Sequence, residues 1–300
     1  MPELSVIADY GDLCGEGPLW DARDNRLYWT DLLGSRFYCY DARTKTHRIV
    51  KDDMGISGFA FNQPGGFVIA NTEGLWLWDG AANVRLIAAD VGGSKLRMND
   101  CIADPQGRFL AGSVFYSPKE KYPLGKLVCV ETDGSVRILD EGIHLSNGLG
   151  FSPDCRTLYY ADSAARLIFA YDYDADRGSA RNRRIFKKLP VTSGLPDGLT
   201  VDAEGFVWSA EWYGSCVVRY DPDGKEERRI ETPAKQTSSV MFGGPDLTDI
   251  FITSAGKSES MPLMPPGYDP FSGYFGGRLY HINLGIRGKL EFLCNIVVKS

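Results

Sequence analysis

Apolar and aromatic residues occur in short runs along the whole chain, and clusters of turn-forming residues separate these runs. Six such runs are "RLYWTD", "GFVIANT", "RFLAGS", "TLYYADS", "FVWSAEW" and "DIFITSA". Each follows a turn sequence rich in Asp, Asn, Pro or Gly, as is typical of β-hairpins. No segment shows the 3.6-residue period of an amphipathic helix. The pattern predicts an all-β chain.

The runs are grouped into six similar units, each with an apolar run before the aromatic-rich one and one or two runs after it. Six four-strand units predict a six-bladed β-propeller with four-stranded antiparallel blades. The N-terminal run "LSVIAD" is left over, and we expect it to pair with the last blade and close the ring. In that blade, "GRLYHINLG" and "KLEFLC" are expected to follow as outer strands. Residues 1–300 are predicted to form one domain.

The first strand of each unit starts at an oxygen-bearing residue, and these residues are spaced by 41, 42, 48, 50 and 41 positions. First strands line the central channel of a propeller, so equivalent positions form a ring around one axis. The ring residues are Glu16, Ser57, Asn99, Asn147, Asp197 and Ser238. Asn147-Gly148 is a dipeptide common in tight turns, but the alignment predicts that it lies at the head of an inner strand.

The ring suggests a metal site. Two carboxylates directed at one axis repel unless a cation or a shared proton lies between them. Oxygen ligands without His or Cys suit a hard divalent ion such as Ca²⁺, Mg²⁺ or Mn²⁺. The alternative is that polar residues at these positions simply contact channel water.

Composition narrows the classes of partner. The formal net charge is −6 and no basic stripe is present, which argues against nucleic acid and anionic membranes as partners. No apolar run approaches the ~18 residues of a membrane span, and the start lacks the features of a signal peptide. Seven scattered cysteines without CxxC spacing predict reduced thiols and a cytoplasmic protein. With three histidines and no GxSxG motif, a serine triad is not expected.

Four segments carry a family resemblance: "GEGPLW", "RMNDCIADPQGRFLAGS", "LSNGLGFSPDCRTLYYADS" and "LPDGLTVDAEGFVWSAEW". They resemble the SMP-30/gluconolactonase/luciferin-regenerating-enzyme family, which includes regucalcin and sugar-acid lactonases. The resemblance implies a six-bladed propeller with one divalent metal in the channel. It assigns Glu16, Asn147 and Asp197 as metal ligands, Asp197 also as catalytic acid/base, and Arg97 and Asn99 to the substrate. Ser117 stands where regucalcin-like members carry a substrate-binding Glu, so the substrate contacts are expected to differ.

Aromatic residues are expected around the mouth of the channel. Tyr116 and Trp212 are predicted to bind the apolar face of a sugar ring, as are Tyr268 and Phe271 in the long loop 255–276. That loop is expected to cover the mouth, because long loops in compact domains are often lids or binding elements. The alternative is that these aromatic residues pack only against each other. Arg97 has an alternative as well, an ion pair with Asp100 or with a neighbouring blade.

The predicted activity is metal-dependent hydrolysis of a sugar-acid lactone, such as a glucono-, arabinono- or xylonolactone. A metal polarises the carbonyl and activates water, and a carboxylate transfers the proton. The metal is predicted to be Ca, Zn, Mn, Mg or Fe. Two alternatives stay open: a phosphotriesterase or other esterase on the same centre, and a calcium-binding propeller without turnover. The expected partner is a small sugar lactone, and the expected assembly is a monomer or weak homodimer.

Overall fold

The computed structural model describes residues 3–114, 125–257 and 263–298. Within these residues the chain forms six antiparallel four-stranded sheets and contains no helix, and the sheets are arranged as a six-bladed β-propeller. In the described ranges, no helix is therefore long and apolar enough to cross a membrane. The predicted fold class is confirmed.

The first three blades follow one another along the chain, and each begins with its innermost strand. Their strands are β2 (Gly15–Asp21), β3 (Arg26–Asp31), β4 (Arg36–Asp41) and β5 (Thr46–Lys51); β6 (Gly58–Phe61), β7 (Phe67–Asn71), β8 (Gly74–Trp78) and β9 (Val84–Ala88); and β12 (Met98–Ala103), β13 (Phe109–Ser113), β14 (Gly125–Val130) and β15 (Val136–Ile143). A short hairpin connects the second blade to the third, formed by β10 (Asp90–Val91) and β11 (Ser94–Lys95).

The last three blades repeat this arrangement. Their strands are β16 (Ser146–Phe151), β17 (Thr157–Asp162), β18 (Leu167–Asp174) and β19 (Ser179–Lys188); β20 (Leu195–Val201), β21 (Val207–Trp212), β22 (Cys216–Tyr220) and β23 (Glu226–Glu231); and β24 (Thr237–Gly243), β25 (Asp249–Ser254) and β26 (Arg278–Asn283), completed by β1 (Ser5–Asp9).

The N-terminal strand closes the ring, as predicted from "LSVIAD". β1 pairs antiparallel with β26, and Ser5 lies opposite His281. The expectation that "KLEFLC" forms the fourth strand of the last blade is wrong, because β1 occupies that position. Strands from both ends of the chain therefore share one sheet.

Residues 284–298 instead form a strap across the end of the channel where the inner strands finish. The strap hydrogen-bonds to the backbone of several blades: Gly288 N to Leu247 O, Cys294 N to Phe61 O, and Asn295 N to Gly107 O. The side chain of Asn62, just after β6, donates to the Ile296 carbonyl at 3.0 Å and accepts from the Ile296 amide at 2.9 Å. The strap therefore connects the sixth, second and third blades.

The hydrophobic core lies between neighbouring blades. Each of six buried clusters combines residues of two adjacent blades. Between the last and first blades, for example, Phe251 stacks on Trp20 with ring centroids 6.0 Å apart, and Trp29 is fully buried in the same cluster. Because apolar burial drives folding, the interfaces between blades hold the ring together and fix the positions of the inner strands.

Irregular strand pairing occurs at the ring positions. In five blades the register between the first and second strands shifts at or next to the ring residue, and in the second blade it does not. The shifts lie between Glu16 and Leu19, Met98 and Cys101, Ser146 and Leu149, Pro196 and Leu199, and Thr237 and Ser239. A β-bulge redirects a side chain and is common beside functional sites. These bulges allow the ring residues to leave the ladder and face the channel.

Asn147-Gly148 lies inside β16 and forms no hairpin turn, as predicted. A Cβ atom on Gly148 would lie 2.5 Å from both the Asp197 carbonyl oxygen and the Leu199 amide nitrogen. Only glycine permits this close approach of the inner strands β16 and β20. The glycine therefore brings Asn147 and Asp197 side by side.

Candidate metal centre and active site

Four of the six ring residues meet in one pocket where the inner strands begin. Its volume is about 260 Å³, and Glu16, Asn99, Asn147 and Asp197 all line it together with Trp212. Each of the four comes from a different blade, so the pocket exists only when the ring is closed. Apolar residues form much of its rim: Leu32, Leu33, Leu145 and Leu195.

The two serines of the ring hydrogen-bond to backbone carbonyls and have a structural role. Ser57 Oγ lies 2.9 Å from the Ala70 carbonyl and 3.0 Å from that of Met98, in the next blade. Ser238 Oγ donates to the Gly15 carbonyl, which joins the sixth blade to the first. Both hydroxyls connect inner strands, and neither serine lines the pocket.

The amide of Asn147 is oriented by its neighbours. Ser163 Oγ donates its proton to the Pro196 carbonyl at 2.6 Å, so it can only accept from Asn147 Nδ2, at 2.8 Å. Asn99 Nδ2 donates to Asn147 Oδ1 at 2.9 Å and to the Ser146 carbonyl at 2.8 Å. The Asn147 oxygen therefore faces Asn99 and keeps a second lone pair for another ligand.

Three carboxylates lie close together in the channel. Burial raises the pKa of the Glu16 carboxyl well above its usual value, and repulsion from Asp100 raises it further. Burial, with repulsion from Glu16 and Asp100, likewise raises the pKa of Asp197. Burial raises the pKa of Asp100 to about 6. Since an opposite charge favours the ionised form, a cation between these groups would relieve both the repulsion and the cost of burial.

The residues present fit a divalent cation. Glu16 and Asp197 supply carboxylate oxygens and Asn147 an amide oxygen, a donor set typical of hard cations. In the described part of the chain, no group of three or more His, Cys, Asp or Glu side chains could hold a metal ion. The carboxamide is therefore needed to complete the set, which excludes a conventional Cys/His zinc site among these residues.

The other predicted substrate residues differ in position. Trp212 lines the pocket, and its buried indole nitrogen has no hydrogen-bond partner among the described residues. Arg97 is exposed and does not line the pocket. No ion pair joins it to Asp100, although the structure describes both residues, so the alternative with that partner is not supported. Tyr116 and Ser117 lie outside the described residues.

Asp100 is a site residue for which the sequence indicated no role beyond an ion pair. It lines a narrow cavity of about 50 Å³ beneath the pocket, and Glu291 and Phe292 of the strap line the same cavity. The strap therefore closes the channel below the three carboxylates. The only sequence signal for Asp100 is its place directly after the ring residue Asn99.

Lys257 and Tyr213 also line the pocket, and neither was predicted as a site residue. Lys257 lies near the start of the long loop 255–276 and brings a positive charge to a pocket that contains two carboxylates. Tyr213 directly follows Trp212 in the turn between β21 and β22. Neither residue belongs to a repeated motif. The prediction that loop 255–276 lies at the mouth included Lys257 but did not single it out.

His144 is held beside the mouth. Its Nδ1 lies 3.1 Å from Asp162 Oδ2, and its backbone amide donates to the same carboxylate oxygen at 2.9 Å. It does not line the pocket. His144 is therefore part of the turn that Asp162 stabilises.

Residues 263–276 of the long loop lie beside the pocket. None of residues 263–276 lines it. Tyr268 packs on Tyr213 with ring centroids 4.5 Å apart, whereas Phe271 is 86% exposed. Residues 263–276 therefore do not form the expected cover. Tyr268 instead packs against another aromatic residue, as the alternative interpretation predicted.

Comparison with known proteins shows the family to which the chain is similar. The SMP-30/gluconolactonase/LRE-like family model matches residues 14–256. The pentonolactonase XacC of Haloferax volcanii is 35% identical over 295 residues, covering 98% of each chain. Two solved structures superimpose closely: a luciferin-regenerating enzyme, with a TM-score of 0.87, 28% identity, and coverage of 99% of this chain and 100% of the other, and a calcium-binding regucalcin from Agrobacterium tumefaciens, with a TM-score of 0.82, 26% identity and 96% of each chain covered. The chain belongs to the SMP-30/gluconolactonase/LRE-like family.

Proposed function

We propose that the protein hydrolyses a sugar-acid lactone to the free acid with the help of one divalent metal ion. The observation that carries the proposal is the meeting of Glu16, Asn147 and Asp197, from three blades, in one pocket. The class of enzyme, a lactone hydrolase, is supported by a pentonolactonase relative that matches nearly the full chain. The calcium-binding regucalcin supports a divalent metal.

Glu16, Asn147 and Asp197 would hold the metal. When bound, the metal would polarise the lactone carbonyl and lower the pKa of water. The Asn147 oxygen is already directed by Ser163 and Asn99, so little reorganisation is needed to bind the ion. The raised pKa values of the two carboxyls would fall on binding, because the positive charge favours their ionised forms.

Asp197 would transfer the proton. A carboxylate next to the reacting atoms accepts a proton from water and returns it to the ring oxygen of the leaving alcohol. Asp197 is only 3% exposed, so bulk water competes little for this proton. Two roles for one side chain are possible because a carboxylate has two oxygen atoms.

Asn99 and Trp212 would orient the lactone. Both hydrogens of Asn99 Nδ2 are committed, which leaves its Oδ1 to accept from a substrate hydroxyl. Trp212 lines the pocket and offers a ring face to the substrate. Arg97 is exposed and would reach the substrate only from the rim of the pocket. Tyr116 is proposed to contact the apolar face of the sugar ring.

A pH-indicator assay with metal-free protein tests the proposal. Aldonolactones with five- and six-membered rings would be compared with a paraoxon-type phosphotriester, after subtraction of the spontaneous opening rate. We expect hydrolysis of at least one lactone only after a divalent metal is added, and little activity on the phosphotriester. Full activity without metal would exclude the proposed centre. Preference for the phosphotriester would instead favour a phosphotriesterase. Metal binding without turnover of any ester would favour a calcium-binding protein without enzymatic activity.

A further inference from the structure

Three aromatic rings connect the long loop of the sixth blade to the wall of the pocket. Tyr268 of the loop lies against Tyr213, with ring centroids 4.5 Å apart. Tyr213 in turn meets Trp212 edge to face, at 6.0 Å and an interplanar angle of 74°. Trp212 and Tyr213 line the pocket, whereas Tyr268 does not. A displacement of Tyr268 can therefore reach the pocket through the other two rings.

The loop around Tyr268 is firmly attached. The Lys235 ammonium lies 4.9 Å from the Tyr268 ring centroid and 5.1 Å from that of Phe275, within cation–π range. It also donates to the carbonyls of Asp269 and Ser272. Lys235, in the connection that precedes β24, thus contacts the loop at four residues.

A second attachment lies at the start of the described loop. Arg166 Nη2 donates to the Leu263 carbonyl at 2.6 Å, and its Nη1 donates to the carbonyls of Ser193 and Gly194. Arg166 belongs to the fourth blade, and Gly194 precedes the first strand of the fifth. Residues 263–276 are therefore tied to the fourth blade at one end and to Lys235 at the other, as a fixed element would be.

Tyr213 needs external support. Its φ of +67° lies in the left-handed region, which is unfavourable for an aromatic residue. Such a conformation persists when the surroundings determine it. Tyr213 is 6% exposed, and the Tyr268 ring covers it from the loop side.

We infer that Tyr268 is a positioning residue that fixes Tyr213 and, through it, the face that Trp212 presents to the substrate. Loop 263–276 is then a rigid support for the wall of the pocket and determines which lactone ring fits. The contact between Trp212 and a lactone rests on the proposed function. The ring of Tyr268 carries the effect, since its buried hydroxyl has no hydrogen-bond partner among the described residues.

The experiment compares three variants of the full chain. Tyr268→Ala removes the ring, Tyr268→Phe keeps it and removes only the hydroxyl, and Phe271→Ala truncates an exposed ring of the same loop. Each protein is labelled with 5-fluorotryptophan for ¹⁹F NMR, and the Trp212 resonance is assigned from Trp212→Phe. Tyr268→Ala is expected to shift or broaden this resonance, whereas Tyr268→Phe and Phe271→Ala leave it in place.

The kinetic measurement uses the metal-loaded proteins and several aldonolactones. Tyr268→Ala is expected to raise KM about three- to tenfold, the scale of one aromatic contact, by different factors for different lactones and with little change in kcat. Tyr268→Phe should restore the original KM values.

The outcomes separate this inference from the proposed function. An unmoved Trp212 resonance in Tyr268→Ala overturns the positioning role, whatever the lactone kinetics. A shifted resonance with unchanged KM for every lactone overturns the selectivity role. If the original protein hydrolyses no lactone, the proposed function fails together with the selectivity role, and a shifted resonance still supports the positioning of Trp212.

Discussion

The side-chain amide of Asn147 could present either its oxygen or its nitrogen to the pocket, and one hydroxyl decides between them. Ser163 donates to a backbone carbonyl and so must accept from the Asn147 nitrogen. The metal-binding atom is thus fixed by a residue outside the proposed ligand set. Groups that orient ligands in this way typically change metal affinity by 10- to 100-fold.

Removal of this hydroxyl is therefore expected to weaken metal binding. In Ser163→Ala the Asn147 nitrogen loses its acceptor, and the amide can rotate. We expect the Kd for Ca²⁺ to rise about tenfold, measured by isothermal titration calorimetry on metal-free protein. Ser135→Ala, which removes a hydroxyl from an exposed turn, is the matched control. An unchanged Kd in Ser163→Ala would show that the amide is held by Asn99 alone.

Asp197 combines two proposed roles that one substitution can separate. Asp197→Asn keeps an oxygen ligand but removes the proton acceptor. We expect metal still to bind, more weakly, while kcat falls at least ~10²-fold, the scale of general acid–base catalysis. Lactone hydrolysis at saturating metal measures this, with Asp223→Asn on an exposed turn as the control. A near-normal kcat would assign the proton transfer to another group.

At the scale of elements, the strap 284–298 depends on a single side chain for two hydrogen bonds. Asn62 is 4% exposed and contacts both the amide and the carbonyl of Ile296. Its loss would leave two buried backbone groups without partners, and each such group typically costs 1–3 kcal/mol.

Asn62→Ala is therefore expected to lower the free energy of unfolding by about 2 kcal/mol or more, measured by urea denaturation of the metal-loaded protein. Metal affinity should stay nearly unchanged, because the strap lies at the end of the channel opposite the pocket. Asn83→Ala, at an exposed turn, is the control. A large loss of metal affinity would instead mean that the strap supports the ring of inner strands.

At the scale of the whole molecule, closure of the ring collects negative charge at its centre. Strands from four blades bring Glu16, Asn99, Asn147 and Asp197 into one pocket, with Asp100 just below. The apolar contacts between blades compensate for the cost of holding these carboxyl groups together. Repulsion among these carboxyl groups should therefore lower the free energy of unfolding of the metal-free protein when they are ionised.

The burial and repulsion of these carboxyl groups predict an unusual dependence on pH. Because the folded-state pKa of Asp100 is about 6 and its ordinary value is 3.8, the folded state binds more protons than the unfolded state between these values. Stability of the metal-free protein should fall as pH rises from 4 to 6. The raised pKa values of Glu16 and Asp197 act in the same direction and add to the fall.

Urea denaturation of metal-free protein at pH 4 to 8 measures the effect, which should amount to at least ~1 kcal/mol. A saturating divalent metal should remove the fall, because it stabilises the folded state and favours ionised carboxylates. Stability that rises over this range without metal would contradict the prediction.

The sequence by itself determined the repeated part of the molecule. Six units with the same order of apolar runs and turns predicted six blades, and their alignment identified the four polar residues that meet in the pocket. A repeat makes this possible, because equivalent positions in equivalent blades must occupy equivalent places around the axis. The prediction for Asn147 succeeded for this reason, although its local dipeptide favours a turn. The assignment of residues 1–300 to one domain stays a prediction.

The tertiary structure decided what the repeat does not contain. The segment "KLEFLC" belongs to the strap because β1 occupies the position beside β26. Competition between distant segments leaves no local signal. Two of the unpredicted site residues lie in loops outside the repeat, Lys257 and Tyr213, and a third, Asp100, directly follows a ring residue. Residues 263–276 lie beside the pocket because Arg166 and Lys235 hold them there. Contacts between residues far apart in the chain depend on the packing of whole elements. The pattern of apolar and polar positions could therefore predict the ring of inner strands but, apart from Trp212, not the residues that surround it.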